Sequence, residues 1–296
     1  MNASKMMHLN NFVKVSEFLT QAILLEVSSC PKPGLVTKKD NGSHSDMSII
    51  TFVMSSAIVS KAFDKFYTFG TNFIGEEKEL FYAIRKIGVE EERKMFEATK
   101  NINTQKGILF AGGILAAACG YLINKDVRTL ERLRKTIILM TQDLVDEELK
   151  AKDVNYQISA GKKLYEKYGI TGIREEVSSG FPSVFNYGLP AMEEAFSKGA
   201  SINDAIIHTL ISLMMNVDDT NVVWRSNIEM LEIVKKQACN IIEQGSVFSM
   251  DGKASIKKAE EFFVKRRISP GGSADLVSIT IAFYLLKYKQ FPCAII

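Results

Sequence analysis

The amino-acid sequence predicts an all-α protein: one domain over residues 1–296, with about ten helices around a central helix of small residues. Three observations carry this. After Pro31 and Pro33 no proline occurs until Pro182, so that interval is free of the strongest helix breaker. Apolar residues recur at spacings of three and four, as helices with one buried face require. Strict alternation, which a half-buried strand would show, is absent over any useful length.

Taken in order, Phe12, Val15, Phe18, Leu19, Ala22 and Ile23 mark a first helix that ends before Pro31. Ser45, ahead of Asp46 and the run from Met47, marks a second, with Ile49, Phe52, Val53, Ser56, Ala57 and Ser60 on one face. Residues 107–124 form an uncharged stretch between Lys106 and Lys125, rich in glycine (Gly107, Gly112, Gly113, Gly120) and alanine. It approaches the length of a short membrane span, but its small side chains and lack of an aromatic belt fit a helix buried among helices. Ile137, Met140, Leu144 and Val145 mark another helix. Asn203 and Asp204 open a run to Met215, and Ser269 with Pro270 opens the last long helix. Without an internal repeat or a Gly/Ser/Pro-rich linker, one domain is expected.

The 296 residues are 46% hydrophobic and 24% charged, with net charge +3, which excludes a disordered chain or a charged tail protein. Lys265, Arg266 and Arg267 form the only basic run, so a nucleic-acid partner is not expected. Cys30, Cys119, Cys239 and Cys293 are widely spaced and are expected to be reduced and mostly buried. Lys5, Asn10, Asn11, Lys14 and Glu17 interrupt any signal-peptide core. A cytoplasmic protein without a membrane partner is the expectation.

Polar and small residues gather at four helix junctions. The first holds Lys32, Gly34, Asp40, Asn41, Gly42, Ser43, His44 and Asp46. Carboxylates with phosphate oxygens suit Mg²⁺, so Asp40 and Asp46 are candidate ligands or acid/base groups, although an Asx turn and an N-cap would also use them. The second is Asn103, Thr104, Gln105, Lys106 and Gly107, where Lys106 suits a phosphate and equally suits solvent. The third runs through Asp218, Asp219, Asn221 and Arg225; helical spacing puts Asn221 and Arg225 on one face, as a capped helix with an ion pair also would. The fourth is Arg267, Ser269, Pro270, Gly271, Gly272, Ser273 and Asp275, an exposed helix N-terminus for an anion or a tight turn. No Walker loop, dinucleotide fingerprint, nucleophile elbow or paired-His metal helix occurs, which disfavours ordinary kinases, Rossmann oxidoreductases and α/β-hydrolases. His8 and His208 stand alone.

In this order the junctions resemble the triphosphoribosyl-dephospho-coenzyme A synthases, which make the prosthetic-group precursor of citrate lyase and, in a related branch, malonate decarboxylase. The resemblance covers residues 31–47, 103–110, 159–189, 213–225 and 269–280. Its third segment carries Gly161, Tyr168, Gly169, Gly172, Ile173, Arg174, Glu176, Gly180, Phe181 and Pro182. It implies an all-α transferase that moves the 5-triphosphoribosyl group of ATP to the 2'-hydroxyl of 3'-dephospho-CoA and releases adenine. Catalytic groups would come from Asp40, His44, Asp46, Asp219 and Asp275, and a Mg²⁺ site from Asp40, Asp46 and Asp219. Substrates would meet Lys32, Asn41, Ser43, Asn103, Lys106, Gly107, Arg174, Glu176, Asn221, Arg225, Arg267, Ser269, Gly271, Gly272 and Ser273.

Downstream partners would be a prosthetic-group transferase, expected as a separate protein because the chain lacks room for it, and the acyl carrier subunit of the lyase or decarboxylase. The sequence departs from the family pattern at Gln105, where His is usual, at Lys100 and Asn101, and at Glu175 and Ser226, where glycine is usual. Gln105 cannot carry a proton. A nucleotide N-glycohydrolase and a catalytically weak ATP-binding maturation partner remain the alternatives.

Overall fold

A computed structural model describes residues 11–125, 128–150 and 159–292. Lys5, His8, Asn10 and Cys293 lie outside the described residues. Among those described there is no strand, and there are thirteen α-helices, eleven of seven residues or more. They are α1 (Val15–Ser28), α2 (Ile49–Asn72), α3 (Glu77–Ala98), α4 (Lys106–Leu122), α5 (Leu130–Thr141), α6 (Ala160–Tyr168), α7 (Ile173–Ser178), α8 (Leu189–Ser197), α9 (Ile202–Asn216), α10 (Thr220–Arg225), α11 (Ile228–Glu243), α12 (Met250–Arg266) and α13 (Gly271–Tyr288). The two six-residue helices, α7 and α10, sit inside the polar segments, where periodicity has too few turns to register.

Helix α4 is the central helix that the small residues foretell: every residue from Ala111 to Leu122 is buried. A Cβ on Gly120 would lie 2.1 Å from the Tyr67 carbonyl oxygen, and one on Gly70 would lie 2.1 Å from that of Ala117. Helices α2 and α4 therefore touch backbone to backbone, which only glycine permits at these points. Helix α13 packs on α1, α4 and α9, and is buried from Leu276 to Leu286. Asn11 ties the start of the chain to this last helix by donating Nδ2–H to the Leu286 carbonyl at 2.8 Å. One apolar cluster runs from Phe12 to Leu286. A smaller one, Val27, Val36 and Met47 with Phe52 and Ile102 against it, underlies the first junction.

Several local expectations are corrected. Helix α2 begins at Ile49 under a capping box made by Ser48 and Thr51, rather than at Ser45. Its buried face is Ser55, Ser56, Val59, Ala62, Phe63, Phe66 and Gly70, which leaves Val53 and Ala57 exposed. Gly112 and Gly113 of α4 make room for the Phe63 and Phe66 rings of this face, and the Ser55 and Ser56 hydroxyls bond the buried Gln105 side chain. Helix α9 is capped by Ser201. Asn203 instead clamps the first junction, accepting from the Cys30 N–H at 3.0 Å and donating to its carbonyl at 2.9 Å. Leu144 lies beyond α5, just before a π-turn, Asp146–Lys150. Cys30 and Cys119 are buried and Cys239 half-buried, all free thiols. No helix among the described residues is long and apolar enough to cross a membrane.

Candidate active site

The four junctions, together with residues 160–183, surround one cavity of about 500 Å³. Its buried wall, the floor, holds Glu26, Lys32, Gln105, Asp219 and Ser269; its exposed rim holds Asn103, Lys106, Glu175, Asp218 and Arg225. His44, Gly107, Arg174, Glu176, Asn221, Gly271, Gly272 and Asp275 also line it.

Six expected site residues do not line this cavity. Asp40 is exposed and accepts the Gly42 N–H at 2.8 Å, closing an Asx turn next to the exposed Asn41. Ser43 donates to the Phe263 carbonyl at 3.1 Å and the Ile268 carbonyl at 2.5 Å, fastening the first junction to the end of α12. Asp46 is exposed, 3.6 Å from His44 Nδ1 and beyond hydrogen-bond reach. Arg267 is exposed in a left-handed conformation that ends α12. Ser273 is buried behind Asp219. No group of three His, Cys, Asp or Glu side chains among the described residues is arranged to hold a metal, so the set Asp40, Asp46 and Asp219 does not form a metal site.

Asp219 explains why. Its Oδ1 accepts the N–H groups of Asn221 at 3.0 Å, Val222 at 3.4 Å and Gly272 at 3.2 Å. Its Oδ2 accepts the Ser273 N–H at 2.7 Å and O–H at 2.9 Å. One carboxylate thus caps α10 and α13 together, and the anion site expected at the N-terminus of α13 is filled from within the protein. Burial pushes Asp219 above the ordinary carboxylate value against the pull of these donors.

Three of the lining cations, Lys32, Lys106 and Arg174, are held in advance by acids. Lys32 Nζ lies 2.5 Å from Glu26 Oε1 and 2.7 Å from the Glu26 carbonyl. Lys106 reaches Glu92 at 2.7 Å. Arg174 Nε donates to Glu148 at 2.7 Å, and Arg85 approaches the other oxygen of Glu148 at 3.1 Å. Gly161 is needed here, since a Cβ would lie 2.7 Å from Arg174 Nη1.

Three titratable groups stand out. Burial, then the Arg225 charge, lowers His44 against Asp46, so the imidazole is neutral; its Nε2 is hydrogen-bonded to Ser269 Oγ at 2.8 Å. Burial raises Glu176, although Ser183 donates both N–H and O–H to it. Asp275 is held well above the ordinary value, first by burial and then by the like charges of Glu26 and Asp219, against the Ile108 N–H. The Asp275 carboxyl lies flat on α4: a Cβ on Gly107 would be 1.9 Å from its Oδ2. The cavity therefore holds a carboxyl whose surroundings favour its protonated form and an imidazole whose surroundings favour its neutral form.

Sequence reasoning missed Glu26, Glu92 and Glu148. Glu26 left a trace, a carboxylate on the buried stripe of α1 with Leu19, Ala22, Ile23 and Val27. Gln105, noted only as a departure, is buried in the floor with Oε1 2.6 Å from Ser55 Oγ and Nε2 3.2 Å from Ser56 Oγ.

Among known families, the one described as "CitG: ATP:dephospho-CoA triphosphoribosyl transferase" matches residues 13–292. A "Probable 2-(5''-triphosphoribosyl)-3'-dephosphocoenzyme-A synthase" of Malonomonas rubra is 40% identical over 285 residues, 95% of this chain and 90% of the relative. The "2-(5''-triphosphoribosyl)-3'-dephosphocoenzyme-A synthase" of Pectobacterium atrosepticum is 36% identical over 276 residues, 93% of this chain and 89% of the relative. "Protein CitXG" of Leuconostoc mesenteroides subsp. cremoris is 34% identical over 264 residues, 88% of this chain and 56% of that longer protein. No solved structure matches the chain. With the match running from the first helix to the end of the last, the chain belongs to the ATP:dephospho-CoA triphosphoribosyl transferase family.

Proposed function

We propose that this cavity is where the 5-triphosphoribosyl group of ATP passes to the 2'-hydroxyl of 3'-dephospho-CoA, giving 2'-(5''-triphosphoribosyl)-3'-dephospho-CoA and adenine. The observation that supports the reading is that Asp275, a carboxyl whose surroundings raise its affinity for a proton, and His44, an imidazole whose surroundings favour the neutral form, line one cavity. Glycosyl transfer needs both: an acid for the departing base and a base for the incoming hydroxyl.

In this reading Asp275 protonates a ring nitrogen of adenine as the bond from C1 of the ribose breaks with its electron pair going to the base. The 2'-oxygen bonds to C1, and its proton passes to His44, oriented by Ser269. Net, one proton moves from the acceptor hydroxyl to adenine. Phosphates lie at the rim, where Arg225, Arg174 and Lys106 line the cavity with Asn103 and Asn221. Lys106 and Arg174 change partners from Glu92 and Glu148 when phosphate arrives. A volume of about 500 Å³ falls in the range of a single-ligand site, roughly 300–1,000 Å³, so the cavity encloses the reacting ends and leaves the pantetheine arm outside.

Magnesium enters as part of the substrate, on the triphosphate oxygens, because a nucleotide-bound Mg²⁺ needs few or no protein ligands. We place the enzyme in the cytoplasm, and its product with a prosthetic-group transferase and the acyl carrier subunit of citrate lyase or malonate decarboxylase.

The test is incubation with ATP, Mg²⁺ and dephospho-CoA. Adenine and a heavier acceptor should appear in equal amounts. ADP or phosphate as product sinks the proposal. Adenine release at one rate with or without acceptor would make the chain a glycohydrolase, and ATP binding without turnover, restored by Gln105→His, would make it a maturation partner.

A further inference from the structure

Glu26 and Asp219 lie in the buried floor of the cavity with Lys32 as its cation, and the half-buried Asp275 lines the same cavity. They are unequally served. Asp219 accepts five hydrogen bonds. Glu26 is gripped by Lys32 at 2.5 Å, and the same ammonium donates to the Glu26 carbonyl at 2.7 Å, so the lysine is folded back on the end of α1 and aimed at this one residue. Both side chains are at least nine-tenths buried, at 9% and 1% exposure. Asp275 draws only on the Ile108 N–H among the described residues, and its carboxyl occupies the space that a side chain at Gly107 would need. Three negative charges beside one positive charge in a largely enclosed site repel one another, and the least-served acid, Asp275, is the one pushed toward its protonated form.

We propose that Glu26, locked by Lys32, is a positioning residue of the transfer reaction that acts through Asp275, keeping the leaving-group proton at the cavity floor until adenine departs. This rests on the role given to Asp275 above. When the ribosyl–adenine bond breaks, the Asp275 O–H bond breaks with it and the proton goes to the base. The carboxylate so formed faces Glu26 and Asp219 as like charges, so it recovers a proton before the next turnover. The charged groups that act on Asp275 are Glu26 from α1, itself held by Lys32 of the following loop, and Asp219 from the start of α10; the N-terminus of α4 adds the Ile108 N–H, and its Lys106 is turned to Glu92.

The experiment is the pH profile of adenine release, at saturating ATP and dephospho-CoA, for the wild type, Glu26→Gln, the double variant Glu26→Gln/Lys32→Met and Asp275→Asn. The double variant removes the ion pair as a unit, so it folds even where Glu26→Gln strands a buried ammonium. We expect the alkaline limb of kcat to move to lower pH by about one unit in Glu26→Gln, and by less in the double variant, where the opposing Lys32 charge leaves with it, with KM for ATP within about twofold of wild type in both. An unmoved limb in a folded variant, or a change confined to KM, overturns the role of Glu26. Asp275→Asn separates the two readings. If it loses kcat at least about 100-fold while the limb of the Glu26 variants stays put, only Glu26 is wrong; if it keeps wild-type kcat, the assignment of Asp275 falls and Glu26 falls with it.

Discussion

Gly107 decides where Asp275 can sit. With Oδ2 1.9 Å from the position of a Cβ, Gly107→Ala pushes the carboxyl off its seat. Displacement of an acid by about 1 Å costs catalysis of order 100-fold, so adenine release should fall by that order while the melting temperature drops only a few degrees. Unchanged release would remove Asp275 from the chemistry. The raised value of Asp275 also sets a stability trend with a fixed sign. The folded state binds this proton more tightly than the unfolded chain, so the group's contribution is full below the ordinary carboxylate value and is lost as pH rises toward the folded value. Asp275→Asn should therefore raise the melting temperature at pH 7 by about 2–4 °C, the effect of about 1 kcal/mol at this size, and the gain should vanish near pH 4. At this scale residue types were legible but not their service: His44, Arg174, Arg225 and Asp275 line the cavity, whereas Asp40, Asp46 and Arg267 have loop duties that a string of letters does not distinguish. Glu26 showed only as a carboxylate on an apolar stripe, because its meaning lies in Lys32 and in the cavity that tertiary structure builds around it.

The helix ends are where the site is made. Asp219 caps α10 and α13 with a single buried side chain, so Asp219→Ala unties two N-termini at once. Each cap is worth about 1 kcal/mol, and more where the donors left behind are buried; a loss of about 2–4 kcal/mol in urea unfolding is expected, and a loss under about 1 kcal/mol would contradict the double-cap account. In α4, Gly120→Ala should cost about 1–3 kcal/mol because the Tyr67 carbonyl cannot retreat without moving α2. Helix identity was readable from periodicity and proline spacing, down to the small-residue helix at the centre. Helix starts were less so. Ser45 and Ser48 are equally good caps on paper, and the choice falls to the hydroxyl that can pair with Thr51.

For the whole molecule, the cavity joins segments from α1 to α13, and its cations Lys32, Lys106 and Arg174 arrive already matched to acids. Phosphate binding is then an exchange of partners, with the metal on the nucleotide. Mg²⁺–ATP should raise the melting temperature, EDTA should abolish that rise, and EDTA alone should leave the unliganded protein's melting temperature unmoved; a drop with EDTA alone would reveal a metal site built by the protein. The double cap at Asp219 also bears on synthesis. A chain that leaves the ribosome before residue 273 lacks the donors that close the cavity around that carboxylate. Such a fragment should bind no ATP, and calorimetry on a chain ending at Gly272 would check it.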